Sequence, residues 1–253
     1  INAFNVIAAP GFPEMLDEMV ALSTDRRNTA FVIADSPFRL KADATSTKNW
    51  ATNANNASEN GEDGLVSSSP YAGVYYPSAL TTNLDGTNVV VPPSHVALRT
   101  FAFNDQVAFP WFAPAGFQRG LVQNATSVGF VNPADGEYVS VTLNEGQRDT
   151  LYAQNVNPIT FITGAGLVAY GQKTRARGTS ALDRINVARL VVYLRGQLYK
   201  LAKPYIFEPN DKITRDEIKA QADSLLLELV GQRALYDFLV VCDESNNTPT
   251  RID

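Results

Sequence analysis

Between Arg184 and Ala202, five apolar residues (Val187, Val191, Leu194, Leu198 and Leu201) recur at steps of four and three, and Pro204 follows directly. That spacing aligns them on one face of a long helix. Pro204 ends it, because proline lacks the N–H that the ladder needs and its ring clashes with the preceding turn. A second helix signal follows within ten residues. Thr214 can cap it, Glu217 completes a capping box, and Ile213 and Ile218 stand at staple positions. Ile218, Ala222, Leu225 and Leu229 form its apolar stripe, with Gly231 as a natural stop. Phe238 to Cys242 is expected as a strand, and SNNTP as the turn after it.

The same region is polarised in charge. Arg184, Arg189, Arg195, Lys200 and Lys203 fall off the apolar stripe and are expected to make the helix surface basic. From Lys173 to Lys203 there are eight basic residues and one acidic residue, Asp183; from Pro204 to Asp253 there are ten acidic and five basic. An amphipathic helix explains part of this separation. The remainder suits contact between copies of one protein, or with a second charged partner. The five basic residues are therefore the candidate assembly interface.

The N-terminal half opens with the apolar run FNVIAA closed by Pro10-Gly11, a helix beginning near Pro13 with Met15, Leu16, Met19 and Leu22 on one face, and the run TAFVIA from Thr29. Strand, helix, strand in so short a span predicts a parallel βαβ unit with a right-handed crossover. Ligands of such units bind at the strand ends, here near Pro10-Gly11 or Asp35, but no glycine fingerprint follows the first strand. Residues 41–69 turn to Asn, Ala, Ser, Thr, Asp and Gly and are expected to form a long exposed loop. Its Glu59, Glu62 and Asp63 lack the alternating acidic spacing of a helix-loop-helix calcium site. Tyr71 to Tyr76 and Val89 to Val91 are expected strands with a turn at Asp85-Gly86, and Ser94 the cap of a helix that holds His95 in its first turn. Phe101, Phe103, Phe109, Trp111, Phe112 and Phe117 surround APAGFQRG and are expected in a core or a subunit contact. Asn144 to Val156 is an expected helix, and Ile159 to Ile162 an apolar run after it. The expected fold class is α/β, with mixed sheets flanked by helices and two associated lobes, 1–125 and 126–253.

Known chemistries fit poorly. GLVAYGQKT (Gly166 to Thr174) nearly matches a phosphate-binding loop, but Gln172 displaces Lys173 by one place, and Leu167 to Tyr170 favour a strand. One histidine and one cysteine cannot build a zinc cluster. A Cys242–His95 pair would need the two to meet in space, and no nucleophile-elbow motif supports a serine triad. Asp216/Glu217 and Asp243/Glu244 suit capping or solvated roles. A net charge of −5 argues against general nucleic-acid binding, and no apolar run reaches the ~20 residues of a membrane-spanning helix. No cofactor or metal is expected. The start at Ile1 and the stop at Asp253 suggest an internal piece of a longer polypeptide.

The order of segments is informative in another way. APAGFQRG, RDTLYAQNVNPIT, GLVAYGQKT leading into DRINVARL, a long helix, YIFEPND, a capped helix and FLVVCDESNNTPTRID closely resemble the tail sheath proteins of contractile-tailed phages, chiefly from Pro92 to Asp253. The resemblance implies a non-enzymatic structural part. Such subunits stack as hexameric rings around a tail tube and contract to drive the tube through the host envelope, and terminal arms add strands to neighbours' sheets. It implies contacts with further copies and with tail tube, baseplate and tail terminator proteins, and a place in the virion after assembly in host cytoplasm. It also implies an outer lobe (1–125) and an inner, tube-proximal one (126–253), and that this chain, lacking both arms, is a monomer. A bacteriocin-like or type VI injection sheath is the alternative; an α/β hydrolase or nucleotide-binding enzyme is the remote one.

Overall fold

The expected βαβ opening is present in the computed structural model, which describes residues 4–54, 64, 65 and 67–248. β1 (Val6–Ala8) and β2 (Phe31–Ala34) pair in parallel through α1 (Leu16–Asp25). Pro13–Met15 forms a 3-10 turn ahead of α1, so Met15 stays exposed while Leu16 and Met19 are buried. After α2 (Ala44–Ala51) come β3 (Ala72–Tyr76) and the hairpin of β4 (Ser78–Thr82) and β5 (Asn88–Val91). α3 (Pro93–Val107), α4 (Gly116–Arg119), β6 (Ser127–Val131), β7 (Tyr138–Ser140) and α5 (Glu145–Ala153) follow. The chain continues through β8 (Val156–Ile162), β9 (Gly166–Ala169), α6 (Ile185–Ala202) and α7 (Lys212–Gly231).

One five-stranded sheet runs in the order β1-β2-β3-β8-β9, parallel as far as β8 and antiparallel at β9. Its central strands are apolar on both faces, as a sheet covered on both sides requires. Val32 and Ala34 pack with Leu16 and Met19 of α1, Trp50 of α2 and Leu151 of α5. Phe31 and Ile33 point the other way, into a cluster with Val96 and Phe101 of α3 and Ile185 and Ala188 of α6. At Gly73 a Cβ would meet Ile185 Cδ1 at 3.3 Å, so the missing side chain lets α6 approach β3. A second, antiparallel sheet runs β5-β4-β6-β7.

Asp35, just past β2, organises the strand ends. It accepts from Gly11 N at 2.8 Å, Ser94 N at 2.6 Å and Ser94 Oγ at 3.0 Å. The carboxylate therefore caps α3 from a distance of 59 residues in sequence. Ser94, expected as the cap, instead lies inside the first turn, which Pro93 begins. Burial pushes the Asp35 pKa up, opposed by these hydrogen bonds. The βαβ strand end is thus filled by the protein's own backbone donors.

Several local expectations need correcting. Residues 41–69 are not one exposed loop: Asp43 caps α2 by accepting from Ser46 N at 2.8 Å, and Trp50 and Leu65 are core residues. Two apolar side chains in a polar stretch suffice to seat one short helix. Glu59, Glu62 and Asp63 lie outside the described residues. The second helix begins at Lys212 rather than after Thr214. Its cap is Asp211, which accepts from Thr214 N at 2.8 Å, and Ile213 is 70% exposed rather than stapled. Phe238 to Cys242 is not a strand, because no ladder partner stands beside it among the described residues.

The expected division near Ala125 also moves. The chain separates into two compact units at Val192/Tyr193. Sheet pairing explains why Ala125 is no boundary: β4 pairs with β6, and β3 with β8, so each sheet takes strands from both sides of it.

Candidate assembly surface

Within the N-terminal unit, the first two turns of α6 bury Ile185, Ala188, Arg189 and Val192. That is an i, i+3, i+4, i+7 stripe with an arginine in it. Arg189, expected on the basic surface, is only 2% exposed. Its Nη1 and Nη2 donate to the two carboxylate oxygens of Asp105 on α3 at 2.9 and 2.6 Å, and its guanidinium lies 4.6 Å from the Phe101 ring centre. Bidentate pairing and ring stacking suit arginine's planar fork. Arg189 is a core element joining α3 to α6 and cannot face a partner directly.

Arg184 behaves differently. Nearly half of its side chain is exposed, it pairs with Asp183 at 3.3 Å, and its Nη1 donates to the Tyr152 hydroxyl at 2.6 Å. Lys173 lies 4.9 Å over the same Tyr152 ring, and its N–H donates to Asn157 Oδ1 at 2.7 Å. Asn157 Nδ2 also donates to Val74 O and Lys173 O, so its amide clips this segment to the sheet. The near-match to a phosphate loop is thereby a strand, β9, followed by a clipped extended segment, not a cradle of converging N–H groups.

In the C-terminal unit, Arg195, Lys200 and Lys203 are all exposed. Five residues separate Arg195 from Lys200, about 140° around a helix axis, so the two do not share one stripe. Lys200 lies in the last turn of α6, where a cation complements the helix dipole. The larger surface feature here is apolar, and charge counting missed it. Phe207 is 97% exposed, Leu239 85% and Leu227 65%, and Ile206, Ile213 and Tyr236 are exposed as well. In the sequence these side chains belong to YIF, directly after the helix-ending Pro204, and to FLVVC and its flanks around and after α7. Around them the unit is well tied: Arg215 Nη1 donates to Asn210 O, and Gln221 Nε2 to the Tyr205 hydroxyl at 2.5 Å. Large apolar side chains held out on an ordered frame are characteristic of a surface that another protein covers.

His95 is exposed on α3, and Cys242 is half-buried beyond α7. No group of three His, Cys, Asp or Glu side chains among the described residues is placed to hold a metal ion. No helix among them is long and apolar enough to cross a membrane.

Against that geometry, residues 178–253 match the model of the phage tail sheath C-terminal domain family. Over those residues the chain is similar to that family. The tail sheath protein of Vibrio phage KVP40 is 40% identical over 152 residues, 60% of this chain and 21% of the phage protein. That of Enterobacteria phage T4 is 34% identical over the same shares. The chain thus spans about a fifth of the length of the curated relatives it matches. The solved sheath complex of an extracellular contractile injection system, PVC, in its contracted state superposes over 97% of this chain and 59% of that one, with a TM-score of 0.68 at 18% identity. The sheath fold therefore extends upstream of the matched C-terminal domain, through the α/β architecture described above.

Proposed function

We propose that this chain is a structural part of a contractile phage tail sheath and performs no catalysis. The observation that supports this best is the combination of tail sheath relatives with an ordered C-terminal unit that exposes Phe207, Ile213, Leu227 and Leu239. In this reading the protein stacks as hexameric rings around a tail tube, meets baseplate and terminator proteins at the ends, and shortens to drive the tube through the host envelope. It is assembled in the host cytoplasm and works in the virion. Sequence identity to the phage proteins favours a tail over a bacterial injection device.

The C-terminal region is the tube-proximal part in this proposal, and the N-terminal region the outer one. Arg184, Arg195, Lys200 and Lys203 supply basic contacts to neighbours, while Arg189 positions α6 from within. Negative-stain electron microscopy of the polypeptide at its full length tests the reading: striated tubes are the expected product. Monodisperse particles under every assembly condition would contradict it.

A further inference from the structure

A solvent-open cavity of about 560 Å³ lies in the N-terminal unit where two helices end. α2 finishes beside it at Thr52-Asn53 and α5 at Gln154-Asn155, and in both pairs the asparagine has a left-handed backbone, φ 52° and 60°. The segment Arg175 to Gly178 forms another wall. Arg175 is fixed by main-chain groups only. Its N–H donates to Ala72 O and its Nη1 to Gln154 O, each at 2.8 Å, and Nε and Nη2 both donate to Ser67 O at 3.4 Å. Every acceptor is a neutral carbonyl.

The electrostatic balance decides what such a cavity can take. Arg175 and Arg177 both line it, and the described lining residues include no aspartate or glutamate. Burial, with Arg177 nearby, lowers the Arg175 pKa to about 10, so Arg175 remains cationic at neutral pH. Two helix C-termini contribute roughly −0.5 each. Among the described lining residues, about −1 against two full positive charges leaves a balance near +1. Arg175 has five N–H donors, and its bonds to carbonyls leave donors on Nη1 and Nη2 unused. Arg177 is exposed and keeps its whole fork for an incoming group.

We propose that this cavity is a carboxylate-binding pocket, and that its occupant is an acidic side chain from the 204–253 segment of a second copy of the chain. The occupant rests on the self-assembly proposed above; the pocket does not. Arginine forks grip carboxylates bidentately, and that segment carries ten acidic residues against five basic ones. Two cations on a chain of net charge −5 suit a single carboxylate better than a nucleic-acid backbone.

The test is titration of the 253-residue chain with glutarate and, in parallel, inorganic phosphate, followed by the amide NMR shifts of Asn53, Gln154 and Gly178. Saturable glutarate shifts are expected, weakened about tenfold or more in Arg177→Glu by charge repulsion. Arg175 staples two loops and its variants can unfold, so Arg177, which forms no hydrogen bond or ion pair with the described residues, carries the decision. Absent saturation, equal binding by Arg177→Glu, or binding of phosphate alone would each overturn the pocket. Glutarate binding that appears only after Glu59, Glu62 and Asp63 are neutralised would overturn the second-copy occupant. Full-length tubes that form as readily with Arg177→Glu, while glutarate still binds the wild-type chain, would overturn the second-copy occupant. Failure to form tubes at all leaves the glutarate result intact and bears only on the sheath reading.

Discussion

The two units spend their apolar residues in opposite ways. The N-terminal one places Phe31, Val32, Ile33 and Ala34 of a single strand on both faces of a parallel sheet, each at or below 1% exposure. The C-terminal one buries Ala222 and Leu229 of α7 and leaves Phe207, Ile213, Leu227 and Leu239 outside. The first is stabilised from within. The second has an internal frame of caps and hydrogen bonds and leaves large apolar side chains exposed.

The sharpest way to break that comparison is a matched pair of truncations. Ile33→Ala is expected to cost about 4 kcal/mol in urea denaturation, because it opens a cavity in a close-packed core. Leu227→Ala is expected to change stability by less than about 0.5 kcal/mol. Similar losses at the two sites would erase the distinction. Next in size, Arg189→Met should cost about 3 kcal/mol, at the low end for a broken buried pair because Asp105 is partly exposed. No loss would mean that Arg189 is not the core element its bonds to Asp105 imply.

Smaller effects separate caps from contacts. Asp43→Ala should cost about 1 kcal/mol at neutral pH by uncapping α2. The backbone bond from Ser46 holds the Asp43 carboxyl below its ordinary 3.8. A depressed folded pKa contributes stability above the unfolded value that is lost as pH falls, so the penalty should shrink below pH 3.8. Asp35 has the opposite sign: its pKa is raised by burial, and its titration lowers stability as pH rises from 3.8 through the folded value. A D43A penalty independent of pH in acid would contradict the cap. Smallest for folding, Arg195→Glu should leave the denaturation midpoint within experimental scatter yet slow tube formation and reduce its salt sensitivity.

Much of the fold was legible because it follows simple periods. The βαβ unit, the hairpin at Asp85-Gly86 and the α5 start at Asn144 each follow from apolar spacing plus one turn or cap residue. Other features were hidden for physical reasons. Arg189 completes a buried stripe, but a charged residue interrupts the apolar period, and its partner Asp105 is 84 residues away in sequence. Asp35 capping α3 is likewise a long-range bond with no local signature. The α7 start was misplaced because Asp211 and Thr214 are both good caps, and only backbone geometry chooses between them. At the candidate surface, charge asymmetry directed attention to five cations, whereas the exposed side chains of YIF and FLVVC read like ordinary core residues. Apolar sequence does not disclose whether its cover comes from the same chain.

In the proposed sheath, neighbouring protein covers the C-terminal unit's exposed side chains. Hydroxyl-radical footprinting measures it most directly, comparing the 253-residue chain with tubes of the full-length protein. Strong labelling of Phe207, Leu227, Tyr236 and Leu239 is expected in the free chain and marked protection of most of them in tubes, with Ile33 and Phe31 unlabelled in both. Equal labelling of those four residues in the two states would contradict it.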